Sequence, residues 1–287
     1  YMALFQNEND RYNRSRYAQP FLSCFCRCCI ERARDINDGG ALYPSVHGAA
    51  CMGIATVADS LAALEQIVYR RGRLTAAQLR DALCADFAGA ESLRQELLRA
   101  PKYGNDDEAV DRHARWYVIF CDRLFSRYRT WDGGAIYIGI ASNINSIYAG
   151  REVAATPDGR RAGEPLSDAA SPMYGMDRSG PTAVIRSVSK PDYRHASCGT
   201  VLNQKFGPDL FQSPERRGAL LALIRTYFDQ GGQEIQINAV GRQTLLQAQE
   251  DPESYRSLVV RVSGFSAYYV NLDREVQQDI LNRTEHT

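Results

Sequence analysis

The chain has 287 residues, 44% hydrophobic and 24% charged, a globular composition able to bury a sizeable core. Its 34 basic residues equal its 34 acidic ones and no long basic run occurs, so charge gives no ground for nucleic acid or an anionic membrane as partner. No apolar stretch approaches the roughly 20 residues of a membrane-spanning helix, and the opening YMALFQNEND lacks the basic-then-apolar order of a signal peptide, so the expected location is cytoplasmic.

Eight cysteines in a chain of this length do not make a disulfide framework, and a reducing compartment keeps them as thiols. A first residue of Tyr suggests a chain that begins inside a longer one.

In chain order, PFLSCFCRCCIERAR (20–34) reads as a helix with Cys and Phe inward and Arg outward, stopped by the glycines of NDGGALYP. VADSLAALEQIVYRRG predicts a second helix, capped by Asp59 or Ser60, with Leu61, Leu64 and Val68 at helical spacing. TAAQLRDALCADF predicts a third. A fourth is expected from about Asp107 to Arg129, with Val110, Trp116, Ile119 and Phe125 as its apolar positions. The pattern then changes. WDGGAIYIGIASNINSIYAG alternates like a strand, and Pro157, Asp158 and Gly159 mark a turn in a long ordered loop. TAVIRSVSK reads as a strand, RRGALLALIRTYFDQGG as a helix, EIQINAV as a period-two strand, and DREVQQDILNRT as a final helix with Val276 and Ile280 at i, i+4. The elements define a mixed α/β class with a C-terminal unit from about Ala169.

One stretch asks for more than periodicity. VVRVSGFSAYYV, residues 259–270, is an aromatic and β-branched run interrupted by Gly264, where a glycine loses packing and adds unfolded-state entropy. A bulge or a positive-φ corner explains most such glycines.

The surrounding text, RVSGFSAYYVNLDREVQQDILNRTEHT, resembles the C-terminal segment of the glycyl radical enzymes. GGALYPSVHGAACMGIATVADSLAALEQIVY, PKYGNDDEAVD, TPDGRRAGEPLSDAASP, GPTAVIRSVSK and GTVLNQKF follow as further family-like motifs in the family's order, so the resemblance covers essentially the whole chain. It implies the later part of a ten-stranded α/β barrel built from two five-strand halves, with residues 1–168 in the barrel domain and 169–287 as the glycine radical domain. Such a part should expose an unpaired sheet edge and apolar surface.

The resemblance also implies chemistry. Gly264 would store an unpaired electron on its α-carbon, installed by a separate radical S-adenosylmethionine activating enzyme that carries an iron–sulfur cluster, with no cofactor bound by the chain itself. A planar carbon radical flanked by an amide nitrogen and a carbonyl suits a residue without Cβ. The loop 261–267 would leave a buried place to be activated. The radical would then pass to a cysteine, whose thiyl takes hydrogen from a small hydroxylated substrate before C–O or C–N elimination. The segment from Gly180 to Phe206 looks like the branch of diol dehydratases, choline lyase and hydroxyproline dehydratase. Phe265 replaces the family's commoner Tyr. A pyruvate formate-lyase-type acyltransferase, a non-catalytic radical carrier and a relic fragment are the alternatives. The chain could act as a homodimer or with a missing N-terminal half.

CCIE places Cys29 two residues before Glu31, the spacing of the family's cysteine and general base. In the resembling enzymes that cysteine lies upstream of the matching segment, so a packed, inert thiol is the expectation and Cys29 with Glu31 the alternative. Cys24 and Cys28 could share a metal on one helix face, but Cys26 points elsewhere and no Cys-x2-Cys pair occurs. His47, His113, His195 and His286 show no ligand spacing. Asp106, Asp107 and Glu108 suit an exposed helix start. TPDGRRAGEPLSD lacks the Walker ending and reads as a rigid connector supporting the glycine loop.

Overall fold

The computed structural model describes residues 1–14, 16–43 and 46–286, with the Val46 side chain excepted; Ser15, the terminal Thr287, and Pro44 and Ser45 of the GGALYPSVHG stretch lie outside the described residues. Helices α1 (Met2–Arg14) and α2 (Pro20–Ser23) precede β1 (Val46–Ala50). Then come α3 (Ile54–Ala63), a π-helical continuation to Arg70, α4 (Ala76–Cys84), α5 (Glu91–Leu98) and α6 (Glu108–Phe125). Next are β2 (Ala135–Gly139), α7 (Asn145–Glu152), α8 (Pro181–Val188), β3 (Val201–Phe206), α9 (Pro214–Asp229) and β4 (Glu234–Asn238). The chain closes with α10 (Arg242–Glu250), β5 (Val259–Arg261), β6 (Ser266–Tyr268), α11 (Arg274–Asn282) and β7 (Glu285–His286).

The four main strands run parallel. β1 pairs with β2 and β3 with β4, and the two pairs meet through a bridge between Ile140 and Thr200. β7 adds a short parallel pairing beside the far end of β3. Parallel strands need crossovers, which the intervening helices supply, and helices on a sheet face bury the strands beneath. β3 is accordingly buried at all its residues.

The main core joins Ile136, Ile138 and Ile140 of the β2 strand and its exit, Ala55, Ala58 and Ala62 of α3, Val110, Ala114 and Val118 of α6, and Val184, Ile185 and Val188 of α8. A second cluster joins Ile67 and Val68 to Leu79, Phe87 and Leu97 around α4 and α5. A third joins Ile147 of α7 to Leu245, Val260, Val262, Tyr269, Val276, Ile280 and Leu281, and so carries the C-terminal hairpin and α11.

Several expected elements are present, including α4, whose Thr75 and Gln78 form a reciprocal capping box. Others differ. The helix expected over 20–34 stops at Ser23, and beyond it Cys28 (φ +74°) and Ala33 (φ +49°) sit in left-handed conformations that a helix does not contain. Phe21 and Phe25 are 79% and 75% exposed, so the apolar pattern there has no partner face within the described residues. TAVIRSVSK is the helix α8, not a strand: Gly180 at φ +82° and Pro181 in the first turn open it, and its β-branched residues at i, i+1 and i+4 face the core.

α3 begins at Ile54, earlier than expected, and Asp59 lies inside it, buried, rather than capping it. α6 ends at Phe125, short of Arg129, and buries Val110, Ala114, Val118 and Cys121. Trp116, expected inward, is 49% exposed and stacks on Phe120. Asp107 caps α6 by accepting from Ala109 N at 2.9 Å, while Asp106 pairs with Lys190 at 2.8 Å and Arg186 at 3.0 Å.

Candidate functional site

β5 and β6 form an antiparallel hairpin with Arg261 opposite Ser266. Its loop is closed by Val262 N donating to Phe265 O at 2.9 Å, and Gly264 lies inside that turn at φ +85°, where a side chain is strained. A Cβ at this position would also meet Asn143 Oδ1 at 3.3 Å. Val262 and Ser263 are buried, whereas Gly264, Phe265 and Ser266 are exposed. Within this chain the glycine is the exposed tip of a turn anchored at its buried base.

The anchors are polar side chains on the parallel strands. Gln236 Oε1 of β4 accepts from Gly264 N at 3.0 Å and from Arg261 Nε at 3.1 Å. Asn238 donates to Arg261 O at 2.6 Å and accepts from Arg261 N at 2.7 Å. Asn203 of β3 donates to Ser263 Oγ at 3.3 Å and to Asp168 Oδ2 at 2.9 Å. Strand period two puts Gln236 and Asn238 on one face of β4.

Behind the loop lies a buried charged group. Arg283, just past α11, donates to Asp279 Oδ2 at 3.2 Å, lies 3.7 Å from Asp168 Oδ2, and reaches Arg261 O at 3.4 Å. Tyr174 donates to Asp279 Oδ1 at 2.8 Å. Burial opposes the charge on Arg283, but Asp168 and Asp279 outweigh it and hold the guanidinium above its ordinary range. Burial, then Asp279, pushes the Tyr174 phenol well up, so it stays a donor.

The 156–168 segment delivers Asp168 to this group. Arg160 is buried and donates to the carbonyls of Val153, Arg161 and Glu164 at 3.1, 3.0 and 2.6 Å. Ser167 Oγ accepts from Ala55 N and Thr56 N at 3.1 and 3.2 Å. A cleft of about 640 Å³ lies between this segment and α11, lined by Asp59, Lys102, Arg160 and Asp279 among others; none of its lining residues belongs to the 261–267 loop.

Cys29 is buried in an irregular turn and Glu31 is exposed. Burial, then Cys26, pushes the Cys29 thiol up, so it stays protonated. Each histidine faces a carboxylate: His47 meets Asp10, His113 lies 3.4 Å from Glu65, His195 2.7 Å from Asp122 and His286 3.3 Å from Asp177. Among the described residues no group of three or more His, Cys, Asp or Glu is placed to hold a metal ion. Among the described residues no helix is long and apolar enough to cross a membrane.

Sequence reasoning missed Gln236, Asn238, Asn203, Asp168 and Arg283. The available signal was EIQIN, where two amide residues alternate with isoleucines. Alternation marks a polar face without saying whether water or a loop covers it.

A parallel α/β sheet with a glycine-tipped hairpin docked on its edge strand defines the class. Two family models match in succession, pyruvate formate lyase-like over residues 2–150 and glycine radical over residues 166–270. The chain belongs to the pyruvate formate lyase-like family of glycyl radical enzymes. It is 45% identical over 268 residues to a probable dehydratase, YbiW, of Escherichia coli, covering 90% of this chain and 33% of that protein. It is 35% identical over 278 residues to trans-4-hydroxy-L-proline dehydratase of Clostridioides difficile, covering 93% and 34%. Among solved structures, the glycerol-bound B12-independent glycerol dehydratase of Clostridium butyricum matches with a TM-score of 0.95 and 40% identity, over 98% of this chain and 36% of that one. The chain thus spans about a third of the length of these relatives.

Proposed function

We propose that the protein is a glycyl radical dehydratase or lyase in which residues 169–287 form the radical domain and Gly264 stores the unpaired electron. The observation that carries this is the setting of Gly264: a left-handed turn residue in the R-V-S-G motif, its amide held by Gln236 and its neighbours tied to β3 and β4. A radical S-adenosylmethionine activating enzyme would remove one hydrogen atom from the α-carbon. The radical would then be relayed through a cysteine thiyl to a small hydroxylated substrate, which loses water or another leaving group. Relatives named as dehydratases support that reaction class.

The test is electron paramagnetic resonance on the anaerobic chain after incubation with activating enzyme, S-adenosylmethionine and reductant. A doublet that collapses with α-deuterated glycine and is absent in Gly264→Ala is the expected result. Silence from this chain, beside a full-length relative that develops the signal in parallel, would overturn it.

A further inference from the structure

Gln236 holds the loop in a way its neighbours do not. Its side-chain oxygen accepts from the turn and from the strand leading into it, from Gly264 N at 3.0 Å and Arg261 Nε at 3.1 Å. Its side-chain nitrogen is committed to Glu234 Oε1 at 2.7 Å, which fixes the oxygen as the end that faces the loop. The residue is only 5% exposed, so losing these bonds would strand a buried acceptor.

The backbone of β4 pairs with β3, and the loop is fastened to β4 by the side chains of Gln236 and Asn238. A loop fastened by side chains can detach while the sheet ladder stays whole. A Cβ added at Gly264 would meet Asn143 Oδ1, of a residue itself in the left-handed region at φ +51°.

We propose that Gln236 is the positioning residue of the radical site, a claim that deepens the function proposed above and rests on it. By accepting the Gly264 N–H it fixes the plane of the 263–264 peptide. By holding Arg261 as well, the same oxygen couples the plane at Gly264 to the closed position of the loop. Gln236 touches no reacting bond and changes no electron count; it acts through Gly264.

The experiment uses the full chain as wild type, Gln236→Leu and the double variant Gln236→Glu with Glu234→Gln, with two readouts. Hydrogen exchange at the Gly264 amide, referred to amides of α3 and α6 as a check on the fold, should be about three- to tenfold faster in Gln236→Leu. Gln236→Glu paired with Glu234→Gln keeps an acceptor oxygen, the Arg261 partner and the hydrogen bond between side chains 234 and 236, and should restore protection. After activation, the Gln236→Leu doublet should decay faster by about the same factor, with the Gln236→Glu, Glu234→Gln double variant again close to wild type. Should the leucine variant lose the α3 and α6 protection, Gln236→Asn, which withdraws the oxygen by one methylene, takes its place. Unchanged exchange and an unchanged doublet in a folded Gln236→Leu variant overturn the positioning role while the wild-type doublet upholds the function. A wild-type chain without a doublet, beside an activated relative, overturns both.

Discussion

Arg283 and Asp279 form a buried ion pair, 3.2 Å apart and one helical turn apart in sequence, with side chains 6% and 5% exposed. Asp168, 1% exposed, stands 3.7 Å from the same guanidinium. Two carboxylates from distant parts of the chain thus depend on one cation, whose third contact is the carbonyl of Arg261 at 3.4 Å.

Replacing that cation by Met leaves Asp168 and Asp279 buried without their counter-charge. Breaking a buried pair by removing one partner costs about 3–5 kcal/mol, far more than loss of an exposed pair. Arg283→Met should lower the urea midpoint accordingly, and Arg283→Lys should recover part of the loss, since an ammonium supplies charge without the planar fork. An exposed pair such as Arg256 with Glu253 is the control, and Arg256→Met should shift the midpoint little.

Asp59 predicts a pH dependence of known sign. Burial pushes its carboxyl from 3.8 to about 8, with nearby Lys102 opposing the shift incompletely. The unfolded chain releases this proton near pH 4 and the folded chain near pH 8. In between the folded state holds the extra proton, so the Asp59 contribution destabilises progressively as pH rises through this window and is complete above it. Asp59→Asn keeps the oxygen that accepts from Tyr103 N at 2.7 Å and removes the titration. Stability measured from pH 4 to 9 should show the variant gaining on wild type as pH rises; parallel curves would refute the assignment.

What could be read from the sequence follows from what each element depends on. α9 and α11 follow from apolar spacing, and Gly264 from a motif whose chemistry requires a missing side chain. α8 was hidden because Val184, Ile185 and Val188 favour strands locally; the entry through Gly180 and Pro181 and the packing on the main core override that preference. Residues 24–34 misled in the opposite direction, with helical spacing but left-handed backbone at Cys28 and Ala33. The loop's anchors were invisible for a different reason. Asn203, Gln236 and Arg283 meet the loop only through long-range contacts, and nothing local to each residue records its partner.

Gly104 offers a test of packing away from the loop. It lies at φ +93°, and a Cβ there would stand 2.3 Å from Pro172 Cγ and 2.7 Å from Pro172 Cβ, atoms of a ring that cannot swing aside. Left-handed strain alone costs about 1–2 kcal/mol, and the clash adds to it. Gly104→Ala should therefore destabilise by more than about 2 kcal/mol in denaturant titration. Gly72→Ala, at φ +57° with open space around it, should cost only the strain.

At Gly264 conformation and chemistry can be separated. Alanine there adds left-handed strain of about 1–2 kcal/mol and brings a methyl to 3.3 Å from Asn143 Oδ1. Asparagine tolerates the left-handed region better, so Gly264→Asn should unfold at a denaturant concentration nearer to wild type than Gly264→Ala does. Both substitutes place a carbon where a planar radical needs none, and both should leave the activated chain without a doublet. A stable Gly264→Asn chain lacking the signal would tie the radical to the absent side chain and not to the stability of the turn. A doublet in either variant would move the radical to another residue.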